Sequence, residues 1–99
     1  MLPKHILDLQ AAVEAANCCR VTYSHAKLVR NRIQESVWEG LVYVFRLYGH
    51  PKAMRCYAWQ YRDGIEIKSV TMLEIPPAVS AESAVAEAML QCGRARRAV

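Results

Sequence analysis

Tyr57-Ala58-Trp59-Gln60-Tyr61-Arg62-Asp63-Gly64-Ile65-Glu66-Ile67-Lys68 is the stretch on which the fold turns. Asp-Gly between two runs rich in aromatic and β-branched residues signals a hairpin, because glycine supplies the positive φ that a tight reversal needs. The pattern predicts a strand from Lys52 to Arg62 and an antiparallel partner from Ile65 to Ile75, ended by Pro76-Pro77. Upstream, Val37 to Tyr48 has the same β-favouring composition, with Gly40 a candidate bulge, and Gly49-His50-Pro51 supplies the turn into the next strand. Three long strands in a meander follow.

Helices flank the meander. Residues 3–17 open with Pro3, suited to a first helical turn, and place Leu2, Ile6, Leu9, Val13 and Ala16 at helical spacing on one stripe, with Asn17 as the stop. Residues 19–24 read as a short strand, and residues 25–34 as an irregular crossing, since Leu28, Val29 and Ile33 fit a helical turn no better than Arg30-Asn31-Arg32 fits a loop. Ser80 caps a last helix through Cys92, with Glu82 in its first turn, a buried face of Ala81, Ala84, Val85, Ala88, Met89 and Cys92, and Gly93 as the stop. The expected fold is α+β: an antiparallel sheet of three long strands and one short strand, both terminal helices packed on one face and the other face bare. Residues 1–93 form a single domain, and residues 94–99 a basic tail expected to lack order.

Composition narrows the function classes. Hydrophobic residues make up 54% and charged residues 22%, a globular balance. The longest apolar run, Leu41 to Phe45, is far short of a membrane span, and Asp8 and Glu14 interrupt what would have to be a signal segment, so no membrane association and a cytoplasmic location are expected. Cys18, Cys19, Cys56 and Cys92 then read as reduced thiols used for packing, with no zinc spacing to His5, His25 or His50 and no cofactor implied.

The formal net charge is +4, and the basic residues are bunched. Arg20, Lys27, Arg30 and Arg32 occur in an acid-free stretch, as do Arg46, Lys52, Arg55 and Arg62. Of these, Arg30, Arg32, Lys52 and Arg55 are the candidate contacts to a phosphate backbone, set against a solvated surface that Glu35, Glu39, Asp63 and Glu66 could neutralise. Alternation along the strand from Ala53 puts Arg55, Tyr57, Trp59 and Tyr61 on one face and Met54, Cys56, Ala58 and Gln60 on the other. If the aromatic row faces outward it is a stacking platform, and otherwise it is core; Tyr57, Trp59 and Tyr61 are the candidate interface anchors. No catalytic set can be assembled. The sharpest enzymatic idea, His50 as a base beside Lys52, competes with a plain turn role in Gly49-His50-Pro51.

Two resemblances bear on these residues. Trp38-Glu39-Gly40-Leu41-Val42-Tyr43-Val44-Phe45, continuing through Gly49-His50-Pro51-Lys52-Ala53 and Tyr57-Ala58-Trp59, resembles a family of short uncharacterised bacterial proteins, which implies a bacterial cytosolic protein and no particular activity. The order helix, three-stranded meander, helix is similar in topology to double-stranded RNA-binding domains. That family has lysines at the start of its last helix, where this chain has Ala81 and Glu82, and a negative charge there opposes phosphate binding.

The sequence thus orders three functions. First comes a non-enzymatic interaction module that forms a homodimer or other homo-oligomer, or binds a protein partner, through its free sheet face. Second is a nucleic-acid-binding module using the basic residues. Third is a small enzyme with a site at a subunit interface.

Overall fold

A computed structural model describes residues 2–33 and 35–92. The elements are α1 (Lys4–Asn17), β1 (Arg20–Ile33), β2 (Ser36–Tyr48), β3 (Arg55–Asp63), β4 (Glu66–Leu73) and α2 (Ala81–Cys92), and the strands form one antiparallel sheet in the order β1-β2-β3-β4. The expected α+β class is therefore the observed one. The Gly93 stop and the 94–99 tail lie outside the described residues, as does the placement of the Cys92 side chain.

The deciding hairpin forms one residue out of step with the Asp-Gly pattern. Asp63 pairs with Glu66, so Gly64 and Ile65 make the turn. Gly64 has φ +66° and Ile65 does not share its sign, the pattern of a type II′ turn with glycine first. Ile65 is left 95% exposed at the tip.

Residues 25–33, the described part of the segment expected to be irregular, are strand. They continue β1, which pairs with β2 from Arg20↔Tyr48 to Ile33↔Ser36. Two features hid the strand. A register shift between Tyr23 and His25 breaks the alternation, and it is this point on β1, not Gly40, that carries the bulge, since Gly40 pairs regularly with Val29. β1 is also an edge strand, where Lys27, Arg30 and Arg32 point to solvent and discourage pairing with another sheet.

The helices do not share a face. Ile6, Leu9 and Val13 of α1 pack with Val21, Phe45, Leu47, Cys56 and Ala58. Ala81, Ala84, Val85 and Ala88 of α2 pack with Val29, Trp38, Val42, Val44, Tyr57 and Trp59. Consecutive residues on β2 and β3 thus go to different helices, and consecutive residues of a strand point to opposite faces. One-sided packing fails here because both rows of β2 and β3 are apolar, and a strand apolar on both sides must be covered on both.

β2 and β3 pair only from Tyr43↔Ala58 to Arg46↔Arg55. Beyond that point the β1-β2 and β3-β4 hairpins continue as separate arms. Trp38 and Trp59, 1% and 0% exposed, meet edge to face across the gap with ring centroids 5.8 Å apart and planes at 70°. α2 closes over them and is well anchored: Ser83 N donates to Ser80 Oγ at 3.2 Å while Ser80 N donates to Ser83 Oγ at 2.8 Å, a reciprocal cap. Asn31 Nδ2 donates to the Glu82 carbonyl at 3.0 Å, tying the helix to β1. Trp59 Nε1 is buried without a hydrogen-bond partner among the described residues.

These contacts set the expected mutational pattern. Trp38→Ala and Trp59→Ala should each cost about 3–5 kcal/mol in urea unfolding, and the double variant less than their sum because both delete one contact. Trp59→Phe should fall within about 1 kcal/mol of the parent, since it also removes an unpaired donor. Additive losses in the double variant would show that the two rings act separately.

Candidate interaction surfaces

The aromatic row is mostly core. Tyr57 and Trp59 lie beneath α2 at 4% and 0% exposure, and of the three expected anchors only Tyr61 is half-buried. A side chain already covered by its own helix is not offered to a partner, so Tyr57 and Trp59 are corrected from interface to interior. Tyr57 keeps a polar end: its hydroxyl donates to Glu74 Oε2 at 2.6 Å. Burial, and then the hydrogen bond and charge of Glu74, push this phenol well above the usual tyrosine range.

The four expected phosphate contacts are not brought together. Alternation places Arg30 and Arg32 on the α1 side of β1 at the far end of the β1-β2 hairpin, where Arg30 Nε lies 3.5 Å from Glu39 Oε2. Arg55 begins β3 at the opposite end and on the α2 side, and Lys52 sits in the loop before it. Arg55 instead faces Arg46 directly across β2 and β3, a pairing invisible while each strand is read alone. Lys27 Nζ, on the α2 side, reaches Glu82 Oε2 at 2.8 Å, and the bond holds the Glu82 carboxyl below the usual range.

His50 is a turn residue. Its Nδ1 accepts from Lys52 N at 3.0 Å and Ala53 N at 3.1 Å, which shapes the β2-β3 connection. Cys18, Cys19 and Cys56 are free thiols. Cys56 is fully buried, and burial pushes its thiol up to about 11. Among the described residues no group of three or more His, Cys, Asp and Glu could hold a metal ion, and no helix is long and apolar enough to cross a membrane.

The surface that sequence reasoning missed lies on the α1 side. α1 begins over Tyr43, where His5 meets the ring at 5.5 Å, and runs toward the end where β2 and β3 are paired. Past Tyr43 the same side of the β1-β2 arm carries Leu28 opposite Leu41, Arg30 opposite Glu39 and Arg32 opposite Val37, with neither α1 nor α2 above them among the described residues. Leu28 is 68% exposed, Val37 47% and Leu41 44%. Across the gap the β3-β4 arm adds Ile67, which shares an open hollow of about 500 Å³ with Gln60, Ser69 and the first turn of α1 at Lys4, His5 and Asp8. The signal was present in the sequence as Leu28 and Leu41, each adjacent to a core valine, but it can be read only once residues 25–33 are known to be strand.

Comparison with family models, curated proteins and solved structures finds no match.

Two outcomes test the assignments made for the loop and the thiols. His50→Ala should lower stability by about 1 kcal/mol, whereas Asn, whose side-chain oxygen can accept the same bonds, should retain most of it. At pH 8 an alkylating reagent followed by peptide mapping should modify Cys18 and leave Cys56 untouched until unfolding. Because the Cys56 thiol is raised on folding, its contribution to stability is intact below the ordinary thiol pKa and is lost as pH rises toward 11.

Proposed function

We propose that this chain is a non-enzymatic interaction module that pairs with a second copy of itself through the uncovered α1-side surface of the β1-β2 arm. The observation that carries this reading is the exposure of Leu28, Val37 and Leu41 on one open sheet face beyond the reach of α1. Contiguous apolar surface on a small domain is a docking surface or an aggregation liability, and a chain of 99 residues gains stability by covering it.

The occupant follows from charge. Between the Leu28·Leu41 row and the Arg32·Val37 row lies Arg30·Glu39, one basic and one acidic side chain at the centre of the patch. A two-fold axis through the row sets Arg30 of each copy against Glu39 of the other, so the surface complements itself, as an isologous interface must. The pair contributes orientation more than affinity, because both side chains are exposed in the single chain. Affinity comes from burying the leucines and the valine.

Sedimentation at micromolar concentration should give a mass near twice 11.2 kDa. Leu28→Lys combined with Leu41→Glu, an opposite-charge pair across the strands, should give a monomer with an unchanged circular dichroism spectrum and a stability within about 1 kcal/mol, since both positions are already exposed in the single chain. A parent that is monomeric at every concentration, or a double variant that still dimerises, would overturn the proposal.

A further inference from the structure

We infer that Arg20, Arg46 and Arg55, with Tyr48, form a binding strip for the phosphate backbone of a single-stranded nucleic acid. The strip occupies the opposite side and the opposite end of the sheet from the proposed dimer surface and does not depend on it.

The sheet register builds the strip. Thr22, Arg46 and Arg55 form one row across β1, β2 and β3, and Arg20 and Tyr48 form the next. All five share the α2 side, because Val44 and Tyr57, two residues from Arg46 and Arg55, pack against α2. α2 itself ends its cover at the Val44·Tyr57 row, so the arginines stand in the open. Adjacent strands lie about 4.8 Å apart, which spreads the guanidinium groups over roughly 10 Å.

Positive charge outweighs negative along the strip. Arg46 and Arg55 are directly opposite, an arrangement that opposes sheet pairing unless an anion sits between them. The ion pairs among the described residues engage Lys27, Arg30 and Lys68, and none engages Arg20, Arg46 or Arg55. Glu74 continues the row beyond Arg55, its backbone N donating to the Arg55 carbonyl at 2.9 Å and its carboxylate accepting from the Tyr57 hydroxyl at 2.6 Å. Three arginines stand against this one carboxylate, so the strip keeps a net positive charge.

Shape selects the ligand. The hollow beside α1 and a second cavity of about 420 Å³ between the end of α1 and residues 71–78 are lined by none of these residues. An open strip suits an extended polyanion better than a small phosphorylated molecule, which needs a concave site. The Arg46 guanidinium lies 5.4 Å from the centroid of the Tyr48 ring, which is 44% exposed and held by a 3.2 Å hydrogen bond between its hydroxyl and Thr22 Oγ1. An arginine stacked on a tyrosine is a platform for an unpaired base, and a base is free to use it only in a single strand.

The test is fluorescence anisotropy with a labelled 12-nucleotide oligouridylate. Three phosphate contacts give a logarithmic salt slope near 2, so affinity should fall roughly 20-fold between 50 and 200 mM salt. Arg20→Ala, Arg46→Ala and Arg55→Ala together should weaken binding at least tenfold at 50 mM salt and flatten the slope. Should that variant fail to fold, Arg46→Gln alone should reduce the slope by about 0.7. Arg30→Ala with Arg32→Ala, on the other side, should bind as the parent does, and so should the Leu28→Lys, Leu41→Glu monomer, whose net charge is unchanged. Absence of binding at 50 mM salt, an unchanged slope in the arginine variants, equal loss in the Arg30, Arg32 control, or tighter binding to phosphatidylserine vesicles than to the oligonucleotide would each overturn the assignment.

Discussion

The edge-to-face contact of Trp38 and Trp59 beneath α2 is the constraint on which the rest of this architecture depends. Strand pairing joins the two hairpins only from Tyr43↔Ala58 to Arg46↔Arg55, extended at the loop end by Leu47 N donating to the Met54 carbonyl at 2.9 Å, and from Tyr43 toward Trp38 no ladder pair among the described residues holds the arms together. Side chains take over. The indole pair fills the widening gap from one side, and α2 lies across it with alanines at 81, 84 and 88, small enough to let the helix approach the rings. The reciprocal Ser80 and Ser83 cap fixes where the helix starts, and Asn31 and Lys27 tie its first turn to the outermost strand. α2 therefore acts as a bridge between the hairpins as well as a cover.

Each helix covers one end of its own face. α1 lies over Val21, Phe45, Leu47, Cys56 and Ala58, where the strands are paired across the whole sheet, and α2 lies over Val29, Trp38, Val42 and Trp59, toward the divided end. Among the described residues two surfaces of the sheet are left open, related diagonally through it. On the α1 side at the divided end the open surface is apolar, with Leu28, Val37 and Leu41; on the α2 side at the paired end it is basic, with Arg20, Arg46 and Arg55. The bulge between Tyr23 and His25 lets one strand serve both, because it exchanges the facing of β1 partway along. Without it, Arg20 and Lys27 would not lie on the same side of the sheet.

What could be read from the sequence divides along physical lines. The β2, β3 and β4 strands and both helices carry strong local signals: periodic apolar residues, glycine turns and a serine cap. The second half of β1 does not, since an exposed edge strand with a bulge shows neither clean alternation nor a continuous apolar run, and its one buried described residue after the bulge is Val29. The placement of the helices was within reach, because the Tyr57·Trp59 and Cys56·Ala58 rows are both apolar and both demand a cover. The open surfaces were not. Arg46 meets Arg55, and Leu28 meets Leu41, only through strand pairing, and pairing register is a tertiary fact that residue type alone does not fix.

The same pairing explains how the two open surfaces can coexist in one small domain. An apolar patch and a basic strip on one face would compete, since ions around the arginines keep water at the edge of any apolar contact and a docked partner would desolvate charge at considerable cost. Set on opposite faces and opposite ends, with the Phe45, Cys56 and Trp59 core between them, they are insulated from each other. In the proposed dimer a second copy seated on Leu28 and Leu41 would leave both arginine strips facing outward, so pairing would present two strips on one particle and raise the effective concentration of each for a long polyanion. The mechanical link that remains is the short β2-β3 ladder. Arg46↔Arg55 is its last pair, and the repulsion between them weakens the very join that the Trp38 and Trp59 rings reinforce from the other end.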